Sequence, residues 1–179
     1  MDRLIAVDSP ADIPPALRGT PAGRLLEYHN LGRRRRTYDR AEILIGMCMD
    51  HRKQLRLPEQ FAYILRAGGA NLRPSEFKVS YAIGVGGVRS IALIGHTNCG
   101  MTNLSERREE FVAGLVEAGW RREEAELHFD GFAPLFEIGD PVDFVSREAR
   151  RLSERYPAVS VTPMIYRVED GRLYLVRER

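Results

Sequence analysis

Two short runs of apolar residues constrain the fold of this chain more than any other feature. Residues 43–47 read Ile-Leu-Ile-Gly-Met and residues 91–94 read Ile-Ala-Leu-Ile, with no polar residue at alternate positions. Strands of this composition are buried on both faces, which is typical of a parallel sheet covered by helices on both sides. The two runs therefore predict neighbouring strands at the centre of an α/β domain.

Strand and helix patterns alternate along the rest of the chain. Strands are predicted at residues 61–65 and 159–162, a C-terminal hairpin at residues 164–168 and 173–176 around an Asp-Gly turn, and helices at residues 76–85, 111–118 and 141–155. The predicted fold class is α/β. We expect a mostly parallel central sheet of about four parallel strands plus an antiparallel C-terminal strand or hairpin, flanked by helices.

The length and composition bound the number of domains. With 179 residues, of which 44% are hydrophobic, the chain has enough apolar surface for one good core. Residues 1–40 are rich in Pro, Gly and Arg, and we interpret them as an N-terminal arm with one short helix around residues 25–29. Residues 41–179 then form a single α/β domain.

Charge and cysteine content exclude several classes of function. No apolar segment approaches the roughly 20 residues of a membrane span, and a net charge of +2 predicts no partner among nucleic acids or membranes. A cluster of four arginines at residues 33–36 is interpreted as solvated or intersubunit, with phosphate binding as the minor alternative. Two cysteines favour a cytoplasmic protein with free thiols, a disulfide being the weaker reading.

Candidate metal ligands follow both central strands. Cys48, Asp50 and Arg52 come directly after the first run, and His96 and Cys99 come after the second. The carboxyl ends of parallel strands meet at one edge of a sheet, where ligands bind in such folds. Zn²⁺ prefers thiolate and imidazole donors, and three protein ligands leave a fourth position open for catalysis. Asp50 and Arg52 are expected to form an ion pair beside that position.

These motifs resemble the β-class carbonic anhydrases. The match rests on C-x-D-x-R after one strand and H-x-x-C-G after another, and it includes a helix that ends in the glycine-rich residues 84–88. It covers residues 41–104 and 141–176. The resemblance implies that zinc is bound by Cys48, His96 and Cys99.

The same resemblance implies an activity and an assembly. Asp50 and Arg52 would form the catalytic dyad of an enzyme that hydrates carbon dioxide reversibly to bicarbonate through zinc-bound hydroxide. A second state, in which Asp50 becomes the fourth zinc ligand, stays open. The minimum unit implied is a homodimer, or a higher homo-oligomer, with the active-site cleft at the subunit interface.

Two departures from the family concern the pocket for the substrate. His51 stands where the family usually has serine, and residues 37–40 lack the glutamine that binds bicarbonate in the family. Two alternatives therefore remain: a zinc hydrolase of carbonyl sulfide or carbon disulfide, and a noncatalytic protein that binds zinc or an anion. For His51 a noncatalytic role is favoured over that of a proton shuttle or fourth ligand. The aromatic residues between 120 and 136 are expected to pack a lid or an interface.

Overall fold

The structure, a computed structural model, describes residues 3–177. Its strands, in chain order, are β1 (Leu4–Ile5), β2 (Ile43–Met47), β3 (Ala62–Arg66), β4 (Ser90–His96), β5 (Ser160–Arg167) and β6 (Arg172–Val176). Its α-helices are α1 (Pro21–His29), α2 (Glu76–Gly84), α3 (Arg108–Glu117), α4 (Arg122–Phe136) and α5 (Pro141–Arg155). None of the helices in residues 3–177 has the length and hydrophobicity needed to cross a membrane.

All six strands belong to one sheet with the order β1-β6-β5-β4-β2-β3. Strand β2 pairs in parallel with β3 and β4, and β4 pairs in parallel with β5. Strands β6 and β1 are added to this sheet in antiparallel fashion. The predicted fold class is therefore confirmed, and β1 is an additional strand that the sequence pattern did not indicate.

The central strands are buried on both faces, as their continuous hydrophobicity predicts. Leu44 of β2 packs in one hydrophobic cluster together with Val145 of α5, whereas Ile45 packs in a second cluster together with Leu25 of α1. Successive side chains of a strand point to opposite faces, so these clusters are the two halves of the core. Helices α2 and α5 cover one face, and α1 covers the other.

Helix α1 confirms the short helix predicted near residues 25–29. Thr20 caps it by accepting a hydrogen bond from the Gly23 amide at 3.2 Å, and Pro21 occupies the first turn. Leu25 and Leu26 are fully buried against the sheet. The boundary between an arm and a domain at residue 40 remains a prediction.

Helices α3 and α4 pack against each other in the part of the chain between β4 and α5. The aromatic rings of Phe111 and Phe129 lie 5.2 Å apart across the pair, and Arg108 forms two hydrogen bonds of 2.8 Å with Asp130. The sequence pattern predicts α3 but not α4. Gly131 and Pro134 interrupt the apolar pattern of α4, so its helical period is hard to recognise.

The arginine cluster is partly engaged within its own chain. Arg33 forms an ion pair with Glu27, and Arg36 forms one with Glu42. The guanidinium of Arg36 also lies over the ring of Tyr38, 4.7 Å from its centroid. Two of the four arginines are thus accounted for by contacts that hold the segment before β2.

Candidate metal centre

The three predicted ligand residues converge at one edge of the sheet. Cys48 follows the last residue of β2, His96 ends the neighbouring strand β4, and Cys99 lies in the turn after it. One donor atom from each residue lies within 4.8 Å of the other two, and all three side chains are buried. Parallel pairing of β2 with β4 brings these residues together, as the sequence predicts.

The imidazole of His96 is oriented with one nitrogen toward this cluster. Its Nδ1 lies 2.8 Å from the carbonyl oxygen of Thr97, and a carbonyl only accepts hydrogen bonds, so Nδ1 carries the proton. The Nε2 atom is fully buried and has no hydrogen-bond partner among the described residues. An unprotonated, unpartnered Nε2 held by a backbone contact on the other nitrogen is suited to bind a metal ion.

Contact between the two sulfurs shifts their pKa values in opposite directions. A hydrogen bond from Cys99 lowers the pKa of the Cys48 thiol, and the Gly69 amide, 3.3 Å from the sulfur, lowers it further. The same contact and burial raise the pKa of Cys99. The pair therefore holds one proton, which a divalent cation would displace. Two thiolates and one imidazole are donors that fit zinc.

Asp50 and Arg52 form a bidentate ion pair beside the cluster. Arg52 Nε lies 3.0 Å from Asp50 Oδ1, and Arg52 Nη2 lies 2.6 Å from Oδ2. These hydrogen bonds hold the pKa of Asp50 well below its usual range, so it is a carboxylate. Its Oδ2 lies 3.9 Å from His96 Nε2. A carboxylate is thus present within reach of any ligand at the open position.

The segment after β3 supports the loop that carries Cys48. Arg66 donates hydrogen bonds to the carbonyl oxygens of Cys48 (3.3 Å) and Lys53 (3.4 Å). Gly69 has φ = +62°, and a Cβ there would lie 2.5 Å from Ile138 Cγ2. Glycine is therefore required where the backbone approaches the Cys48 sulfur.

Lys53 is a residue of this region that the sequence analysis missed. Its side chain is 1% exposed, and its Nζ has no hydrogen-bond partner among the described residues. Burial lowers its pKa, whereas the negative charges of Cys48 and Asp50 oppose that shift. The composition gives one signal that could have drawn attention to Lys53: 25 of the 27 basic residues are arginine, and Lys53 is one of only two lysines.

An apolar cavity of about 360 Å³ lies next to the Cys48 loop, and its lining contains neither the candidate ligands nor Asp50 and Arg52. Its lining includes Met49 and Gly68, which flank the Cys48 loop, and Met101, which follows Cys99 by two residues. The opposite wall comes from the α3–α4 pair and includes Phe129 and Phe132. Of the aromatic residues expected to pack a lid or an interface, Phe129, Phe132 and Phe136 line this cavity, and Trp120 does not. His51 is exposed.

Comparison with known proteins gives matches in structure only. No protein-family model matches the sequence, and no curated protein matches it. A carbonic anhydrase from Glaciozyma antarctica is 23% identical, with a TM-score of 0.61 over 90% of this chain and 94% of that one. The β-carbonic anhydrase isoform I of Trichomonas vaginalis is 17% identical, with a TM-score of 0.64 over 93% and 100% of the two chains.

A third similar structure carries a different name. The apo form of a carbon disulfide hydrolase is 19% identical, with a TM-score of 0.56 over 78% of this chain and 80% of that one. At these identities the likeness concerns the fold. The chain therefore has the β-carbonic anhydrase fold, and the resemblance inferred from its motifs is confirmed at that level.

Proposed function

We propose that this protein is a zinc-dependent enzyme of the carbonic anhydrase type, which hydrates carbon dioxide reversibly to bicarbonate. The observation that supports the proposal best is a buried Cys-His-Cys cluster whose imidazole Nε2 is unpartnered, with an ionised aspartate 3.9 Å away. A set of three donors leaves room for a fourth ligand, which distinguishes catalytic from structural zinc sites.

Each residue of the proposed site has a distinct task. Cys48, His96 and Cys99 would hold the ion, which supplies Lewis-acid chemistry that makes water nucleophilic near neutral pH. Asp50 accepts a hydrogen bond from the attacking water and thereby turns a lone pair of its oxygen toward the carbon of the substrate. Arg52 keeps the Asp50 carboxylate ionised and aimed. The hydrogen bonds between Asp50 and Arg52 support this paired state in the proposed mechanism, and the state with Asp50 as fourth ligand is the alternative.

The cavity beside the cluster suits an uncharged, linear substrate. Carbon dioxide has no net dipole, and an apolar wall of Met49, Met101 and Phe132 accommodates it without the loss of a hydrogen bond. Bicarbonate, as an anion, would be less stable against the same wall. The cavity therefore favours uptake of the apolar substrate and release of the charged product.

Metal analysis and stopped-flow hydration of carbon dioxide test the proposal. We expect about one zinc per chain and hydration rates that rise with pH. Asp50→Asn should retain zinc and lose at least about 100-fold in kcat, because it removes the charged acceptor. Cys99→Ser should lose most of its zinc.

Glu154→Gln is the matched control for the loss of a carboxylate. Glu154 is exposed in the last turn of α5, which leads to the amino end of β5, whereas the candidate site lies at the carboxyl ends of the strands. This variant should keep the parent's rate. A protein with stoichiometric zinc and no hydration activity would contradict the proposed reaction.

A second candidate is the hydrolysis of carbon disulfide or carbonyl sulfide. The observation that favours it is the cavity. Its volume of about 360 Å³ exceeds the space that carbon dioxide needs, and its lining is rich in sulfur and aromatic rings. One of the similar structures is a carbon disulfide hydrolase. Release of hydrogen sulfide from either compound, without hydration of carbon dioxide, would support this reaction over the first. A zinc protein inactive on all three substrates would favour a noncatalytic role.

We further propose a homodimer in the cytoplasm. Both cysteines are free thiols, which a reducing compartment preserves. Exposed apolar residues on the edge strand β3 and on α2 supply a surface for a second copy, among them Ile64 and Phe77.

A further inference from the structure

We propose that Glu169 is a positioning residue for the candidate metal centre. It lies in the turn between β5 and β6, outside all the motifs discussed above. Its carboxylate holds the side chains of Thr97 and Asn98, the two residues between the ligands His96 and Cys99. The inference rests on the proposed metal site and adds to it a residue that no motif identifies.

The carboxylate of Glu169 accepts hydrogen bonds from the side chains of both Thr97 and Asn98. Its Oε2 accepts a hydrogen bond from Thr97 Oγ1 at 2.8 Å, and its Oε1 accepts one from Asn98 Nδ2 at 3.0 Å. Thr97 Oγ1 in turn accepts a hydrogen bond from the Val168 amide at 3.0 Å. Three hydrogen bonds therefore connect the turn between β5 and β6 to the loop between His96 and Cys99.

The backbone carbonyls of the same two residues orient the functional groups. The carbonyl oxygen of Thr97 accepts the proton of His96 Nδ1 at 2.8 Å and so leaves Nε2 free as a ligand. The carbonyl oxygen of Asn98 accepts a hydrogen bond of 2.8 Å from Arg52 Nη2, which also binds Asp50. One dipeptide therefore sets the direction of both the imidazole and the Asp50–Arg52 pair, and Glu169 fixes that dipeptide.

The conformation of Asn98 makes this contact consequential. Asn98 has φ = +53°, a left-handed conformation that is unfavourable for residues other than glycine, although asparagine tolerates it best. The hydrogen bond from its side chain to Glu169 offsets part of that cost. Without it, we expect the turn to sample other conformations, in which the Asn98 carbonyl no longer faces Arg52.

Two measurements that do not depend on catalysis test the proposal. The first is amide hydrogen exchange of residues 97–100 in the metal-free protein. The second is zinc affinity, measured by competition with a chelator. Glu169→Ala should speed the exchange of the loop and weaken zinc binding by about 10- to 100-fold, the range found when groups that orient metal ligands are removed. Glu169→Gln retains one acceptor oxygen and should fall between this variant and the parent.

Asp170→Asn is the matched control. Asp170 lies on the same turn but accepts its hydrogen bonds from Arg172 and Tyr174, not from the ligand loop. Asp170→Asn should keep the parent's loop exchange and zinc affinity. The urea midpoint of Glu169→Ala should stay near that of the parent, because the Glu169 side chain is 46% exposed.

Two outcomes would overturn the proposal. One is a Glu169→Ala variant whose loop exchange and zinc affinity equal those of the parent. The other is an equal loss in Asp170→Asn, which would indicate a general effect of charge at the turn. A parent protein that binds zinc but does not hydrate carbon dioxide contradicts the proposed reaction alone. A parent that bound no zinc would contradict the metal site itself, on which the inference rests.

Discussion

At the scale of single residues, the least expected feature is a buried amine. Lys53 has no hydrogen-bond partner for Nζ among the described residues, and its side chain is removed from water. An unpaired polar group in such a position costs about 1–3 kcal/mol relative to an apolar one. Attraction to Asp50 and the Cys48 thiolate recovers part of this cost, but burial remains the dominant influence on its pKa.

Replacement of Lys53 by methionine is therefore expected to stabilise the protein. Methionine fills a similar volume without a charge, so Lys53→Met should raise the free energy of unfolding at pH 7 by about 1–3 kcal/mol, measured by urea denaturation. Because burial lowers the pKa of Lys53, stability of the parent should rise with pH toward the ordinary lysine pKa, and this rise should diminish in the variant.

Lys78 offers the control for this prediction. It is the other lysine of the chain and is exposed on α2, so Lys78→Met should leave stability nearly unchanged. A Lys53→Met variant that unfolds at a lower urea concentration than the parent would mean that the attraction of Lys53 to Asp50 and the Cys48 thiolate outweighs its desolvation.

The sequence predicts the ligand residues but not the residues that support them. Cys48, His96 and Cys99 stand directly after apolar strands, and the pairing of adjacent strands alone brings them together. Glu169 is far from them in sequence. It reaches the ligand loop because His96 pairs with Tyr166 in the register of β4 with β5. That register depends on packing of the whole sheet, so no local pattern identifies Glu169.

At the scale of elements, the contact between β4 and α5 depends on a glycine. A Cβ at Gly95 would lie 2.8 Å from Val145 Cγ1 and 3.0 Å from Ile165 Cδ1. Both neighbours are buried, so neither side chain is able to move away without a change in packing. The absence of a side chain at Gly95 lets α5 approach the strand one residue before His96.

Gly95→Ala should lower the free energy of unfolding by about 1–3 kcal/mol, the usual cost of overpacking a core. Because His96 follows directly, zinc affinity should also fall. Gly114→Ala is the control: no atom lies within 4 Å of a Cβ at this position in α3, and alanine favours a helix. That variant should be as stable as the parent or more so. Urea denaturation measures the free energy of unfolding of both variants. Equal stability of the two would contradict the steric argument.

Elements are predicted well where the apolar period is unbroken. Residues 43–47 and 141–155 agree with β2 and α5, and Asp140 caps α5 by accepting a hydrogen bond from the Asp143 amide at 2.9 Å. Two predicted strands at 159–162 and 164–168 are one strand, β5, because Pro163 is accommodated within the sheet opposite Leu93. Pro163 does not break the strand, because the residues before and after it pair with β4.

At the scale of the whole molecule, one edge of the sheet is left with apolar residues in solvent. Strand β3 is the last strand in the order of the described sheet, and Tyr63 and Ile64 on it are 40% and 47% exposed. The ring of Tyr63 lies beside Gly86 at the end of α2, which exposes Phe77 and Tyr81. An exposed apolar edge strand is unfavourable in a monomer and suited to contact with a second copy.

Ile64→Lys is therefore expected to convert a dimer into a monomer, because it introduces a charge at the centre of the proposed interface. Sedimentation equilibrium at micromolar concentrations measures the change. Leu127→Lys is the control, since Leu127 is 74% exposed on α4, away from β3, and its replacement should leave the dimer intact. All three proposed zinc ligands come from one chain, so the monomeric variant should still bind one zinc. A parent that sediments as a monomer would contradict the interface, whereas loss of zinc from Ile64→Lys would mean that the second copy completes the site.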